Sequence, residues 1–167
     1  MSGEEESKTQ TIDERYQQLQ LLLKNYPSKI GLGVLQPIND TERYLTMSEQ
    51  ERRRMTAEEC GNAAITLNQA ATYIQLETNK MQAEIRWCDR YIDWLIASKI
   101  TEAGSKYTPF EYRRILAIRN NDVATKLQQI MANIQLRIDS LSYIPTQLRA
   151  TAASYSDLQQ TKRSQKA

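Results

Sequence analysis

Eleven positions between Cys60 and Leu95 follow one another at alternating steps of four and three: Cys60, Ala64, Leu67, Ala71, Ile74, Thr78, Met81, Ile85, Cys88, Ile92 and Leu95. Thr78 is their single polar member. A helix turns once per ~3.6 residues, so this spacing draws an apolar line along it and calls for a partner helix packed lengthwise at a shallow angle. A strand cannot use the pattern, because its side chains alternate faces at every residue. At ~1.5 Å per residue the stretch 60–100 spans ~60 Å, longer than a compact domain of this size is wide. The chain is therefore expected to be all-α and elongated.

Local signals place the ends. Ser48 with Glu51 and Thr56 with Glu59 have capping-box spacing, the hydroxyl accepting from an early helical N–H and the carboxylate reaching back to the cap, and one of them starts the long helix. Thr101-Glu102-Ala103-Gly104-Ser105 stops it. Thr108, Pro109 and Glu111 read as cap, first helical position and capping-box acid of a second helix. Its seam runs through Leu116, Val123, Leu127, Ile130, Ile134, Ile138, Leu141 and Ile144, with a repeated step of four at 130–134–138 that would locally unwind a supercoil. Pro145 ends or kinks this helix, and residues 146–160 form a weaker third segment before a polar end. Two long helices joined by a short turn make an antiparallel helical hairpin, coiled-coil-like in its packing.

Before residue 48 the pattern is thin. Residues 1–10 have almost no apolar content and read as a flexible tail. Ile12, Tyr16, Leu19 and Leu21–Leu23 predict a short helix ending near Tyr26-Pro27, followed by an irregular stretch in which Gly31-Leu32-Gly33 reads as a turn. The predicted organisation is a tail, short helix and loop over 1–47, the hairpin over 48–163 and a flexible tail over 164–167.

The chain contains no His, which removes His-based triads, His acid–base catalysis and the Glu-x-x-His metal sites of four-helix carboxylate proteins. Acidic pairs such as Glu58/Glu59, Glu77/Glu84 and Asp89/Asp93 read as solvated helix charges in i,i+4 pairing, with Asp89 and Asp93 near Arg86 and Arg90. The two cysteines, Cys60 and Cys88, sit on the seam and read as small buried apolar residues. No catalysis, metal or cofactor is expected. No run reaches the ~18 apolar residues of a membrane span and the first residues are acidic, so the expectation is a cytoplasmic protein with no membrane partner.

Net charge is +2, unevenly laid out: residues 1–98 carry 11 basic and 15 acidic groups, and residues 99–167 carry 11 basic and 5 acidic. If the second helix doubles back, Arg86 and Arg90 come beside Arg113, Arg114 and Arg119, with Lys106 in the connection and Tyr107 and Tyr112 interleaved. Cations for phosphates and π faces for bases are what sequence-tolerant single-strand binding requires. The competing reading is an ordinary charged surface. Trp87, Tyr91 and Trp94 form a further stripe one residue ahead of the seam, to be covered by the N-terminal helix or, preferably, by a second subunit of a homo-oligomer. A second basic cluster, Arg149, Lys162, Arg163 and Lys166, lies in the expected flexible end, whereas Arg52-Arg53-Arg54 is expected to pair within its helix.

The small residues early in the long helix (Cys60-Gly-Asn-Ala-Ala), the turn with Gly and Tyr, and the stretch Ile115-Leu-Ala-Ile-Arg-Asn-Asn-Asp-Val-Ala-Thr-Lys-Leu together resemble the UvsY-type recombination mediators of T-even-like phages, over roughly residues 55–163. The resemblance implies a homo-oligomer that binds single-stranded DNA. It also implies help in loading a RecA-like recombinase in place of a single-strand-binding protein, in the host cell cytoplasm if the chain is phage-encoded. The alternative from another class is a structural coiled-coil adaptor or virion assembly protein without nucleic-acid binding.

Overall fold

The computed structural model describes residues 11–29, 41–103 and 107–165. The chain is all-α, with helix over 86% of the described residues and no strand among them. It divides into two compact units, residues 1–34 and 35–167. The expected tail over 1–10, the Gly31-x-Gly33 turn and Lys106 lie outside the described residues.

In the first unit, α1 (Ile12–Lys29) opens on Thr11, whose N–H donates to Glu14 Oε2 at 2.9 Å while Glu14 N–H donates to Thr11 Oγ1 at 3.4 Å. Asp13 and Glu14 near its start and Lys29 at its end complement the helix dipole. The helix runs past Pro27, where the sequence predicts its end. A proline one turn from the terminus removes a single ladder bond, which the last turn tolerates better than a helix centre would.

The second unit is built on α4 (Ala57–Ile96), 40 residues long. Both predicted capping boxes form. Ser48 caps the six-residue α3 (Glu49–Arg54) and Thr56 caps α4, with Met55 extended between them. After α4 the predicted second helix is divided into α5 (Phe110–Arg119) and α6 (Asp122–Leu141), and the third segment expected over 146–160 is α7 (Ile144–Ser164). The first break follows from Asn121, whose side-chain oxygen accepts from Ala124 N–H at 3.0 Å and starts α6 afresh. Thr125 Oγ1 donates to Ile118 O at 3.0 Å across the joint. The second break falls just before Pro145, which occupies the first turn of α7, where its missing N–H costs nothing. At the start of α5 the sequence expects Thr108 to cap; Pro109 holds that place instead, without a side-chain cap.

The main core lies between the first half of α4 and α7. Cys60, Ala63, Ala64, Leu67, Ala70 and Ala71 meet Leu148, Ala152 and Tyr155, all buried. The α4 side of this contact is mostly small side chains, which suit close helix packing. At Gly61 the Gln159 side chain of α7 lies over the α4 backbone, and a Cβ there would come within 2.5 Å of Gln159 Nε2 unless that side chain moved. The segment expected to be the weaker one thus supplies three of the nine buried residues of this core. Helix α2 (Thr41–Thr46) joins through Tyr44, whose backbone oxygen accepts from Tyr155 Oη at 2.8 Å and whose ring meets that of Tyr155 edge-on at 6.1 Å.

Candidate functional site

Helix α5 lies against the far end of α4, and one side chain fastens it there. Arg114 Nε donates to Asp93 Oδ1 at 2.9 Å and its Nη2 to Asp89 Oδ1 at 2.8 Å. The two carboxylates stand one turn apart on α4, so a single planar guanidinium spans both. Burial disfavours the charge on Arg114, but its hydrogen bonds and charge contacts with Asp93 and then Asp89 outweigh that, so it holds its proton more firmly than an ordinary arginine. The acids expected to pair along their own helix therefore reach 21 and 25 residues onward.

Beside this contact is an open groove of about 600 Å³. Ile96, Ile100 and Phe110 are among its apolar lining, and Asp89, Asp93, Glu111 and Arg114 are its charged lining. Three carboxylates around one arginine repel an anion, so the groove itself is no phosphate site. The cations that face solvent lie outside it. Arg86 and Arg90 are exposed on α4, and at ~100° per residue they fall between the Asp89/Asp93 flank and the flank of Trp87, Tyr91 and Trp94. Arg119 is exposed on α5 and shares its outer face with Tyr112 and Ile115. Arg113 is half-buried, with its Nε buried and without a hydrogen-bond partner. Lys99 is drawn to Glu102 at 3.5 Å.

The rings at this end are open to solvent. Tyr107 is 93% exposed and Tyr112 56%, and Phe110 and Ile115, which sequence reasoning passed over, are half exposed beside them. No periodic signal could have found those two, because α5 is apolar on several sides at once. Trp87 and Tyr91 stack at 5.2 Å with 14° between planes, and Tyr91 meets Trp94 at 5.3 Å, tilted by 41°. Trp94 is 65% exposed.

The second basic cluster is ordered differently from the expectation. Lys162 and Arg163 belong to α7, and Lys162 Nζ donates to Arg53 O at 2.7 Å, tying the end of α7 to α3. Arg53 pairs with Glu49 one turn away, whereas Arg52 lies over the Tyr155 ring at 5.4 Å and donates to Met47 O. Arg149 is exposed on α7, and Lys166 lies outside the described residues.

Among the described residues no group of three or more cysteines and acids is placed to hold a metal ion, and no helix is long and apolar enough to cross a membrane. Comparison of the chain with protein families, with curated proteins and with solved structures gives no match.

Proposed function

We propose that this protein is a single-stranded-DNA-binding accessory protein, a recombination mediator that helps load a RecA-like recombinase in place of a single-strand-binding protein. It acts in the cytoplasm without catalysis or cofactor. Its second unit works as an antiparallel, coiled-coil-like hairpin, and copies associate through Trp87, Tyr91 and Trp94. Arg86, Arg90, Lys106, Arg113 and Arg119 are the cations for the phosphates, and Tyr107 and Tyr112 are the stacking platforms. The observation that carries the reading is the exposure of both tyrosines on the same end of α4 and α5 as exposed Arg86, Arg90 and Arg119. Solvent-facing rings without an apolar function are costly to leave uncovered, and bases are a partner that covers them.

The test is anisotropy of a labelled oligo-dT. Binding is expected at low salt, and Arg86→Ala, Arg90→Ala and Arg119→Ala combined weaken it by at least tenfold, since each removes a phosphate contact. One observation favours the alternative, a structural coiled-coil adaptor or virion assembly protein: acids already occupy Arg114 and Lys99. An absence of binding at low salt selects that reading.

A further inference from the structure

The adjacent arginines Arg113 and Arg114 look interchangeable in sequence, but the structure separates them. Helix α5 is only ten residues long and buries Ala117 and Ile118, both in its second half. A helix that short is marginal in water unless something holds it. Its tie to α6 is at its last turn, where Thr125 Oγ1 donates to Ile118 O at 3.0 Å, and α6 starts from its own cap at Asn121. Its first half, where Phe110 and Tyr112 are exposed, is fastened to α4 by the fork of Arg114 on Asp89 and Asp93. At ~100° per residue Tyr112, Ile115 and Arg119 lie within ~60° of one another and on the side away from Arg114.

We propose that Arg114 is a positioning residue: its grip on Asp89 and Asp93 fixes α5 so that Tyr112, Ile115 and Arg119 face outward as the binding edge, and it does not hold phosphate itself. Arg114 shares its groove with Asp89, Asp93 and Glu111, whose charges oppose a phosphate there, whereas Arg119 does not line that groove. The inference rests on the polynucleotide reading and names the part that one cation plays in it.

The test compares Arg114→Gln, the pair Asp89→Asn with Asp93→Asn, and Arg119→Gln in oligo-dT anisotropy across a salt series. One variant removes a positive charge and the other removes two negative charges, so bulk electrostatics moves their affinities in opposite directions. Positioning moves them together: each weakens binding about tenfold, the two sets combined cost no more than either alone, and the slope of log affinity against log salt stays at the parent value. Arg119→Gln, by contrast, flattens that slope. Tighter or unchanged binding by the aspartate pair, or a flattened slope in Arg114→Gln, overturns the proposal while leaving DNA binding intact. If the parent binds no oligo-dT, the polynucleotide reading fails, and hydrogen exchange decides the anchoring separately. Faster exchange over 110–119 in both variants, with α4 residues 60–71 and α7 unchanged, sustains the grip of Arg114 on α5, and unchanged exchange over 110–119 refutes it.

Discussion

Tyr155 shows how much one side chain settles. Its ring is buried with Leu67 and Leu148, its hydroxyl donates to the backbone of Tyr44, and Arg52 lies over its face, so α2, α3, α4 and α7 converge on it. The sequence shows it as one apolar position among several, because Tyr44 and Arg52, which make it central, are more than a hundred residues away. The cysteines were more legible: a small residue on an apolar seam is buried whatever packs there, and both are fully buried. Burial, and secondarily the charge of Glu84, pushes the Cys88 thiol up to about 11, against about 9 for an ordinary thiol. Burial raises Cys60 and Tyr155 in the same direction. The folded protein thus keeps protons that the unfolded chain releases above pH ~9, so stability is full below that pH and falls as pH rises toward 11. The melting temperature is expected to drop over this window, and to drop less steeply in Cys88→Ala. An equal slope in both proteins would show that the thiol is not the group responsible.

At the scale of elements, α4 could be read directly. Cys60, Ala64, Leu67, Ala71, Thr78, Cys88 and Ile92 of the predicted seam are buried, whereas Ile74, Met81, Ile85 and Leu95 are half-buried. Thr78 tolerates its place because its hydroxyl donates to Ile74 O at 2.9 Å. The joint at Asn120-Asn121 was not readable from periodicity, since Leu116, Val123 and Leu127 continue the apolar spacing straight across it. The signal lay in side-chain chemistry, an Asn followed by an Asp, which is a cap and an acidic first turn. Asn121→Ala is expected to cost about 1 kcal/mol and lower the melting temperature by ~2–4 °C, with Asn121→Asp close to neutral. Thermal unfolding followed by circular dichroism separates the two, and equal losses would show that the cap does not hold the joint.

At the scale of the whole molecule, the sequence showed a basic second half and an aromatic end but not which charges remain for a partner. That depends on the register between α4 and α5, which sets Arg114 against Asp89 and Asp93 and leaves Arg119 facing out. Self-association was read from the four-three spacing of Trp87, Tyr91 and Trp94, and Trp94 stands 65% exposed. On the proposed self-association the parent sediments as an oligomer and Trp87→Ala with Trp94→Ala shifts it to monomer; a monomeric parent, or an intact oligomer in the variant, would contradict that contact. Polyanion binding is the claim on which the rest turns, and its most direct test is the salt dependence of oligo-dT binding by the unmodified protein. With three or more phosphates neutralised, log affinity falls against log salt with a slope of about −2 or steeper, at ~0.7 per single-strand contact. Binding that is absent at low salt, or indifferent to salt, would contradict it.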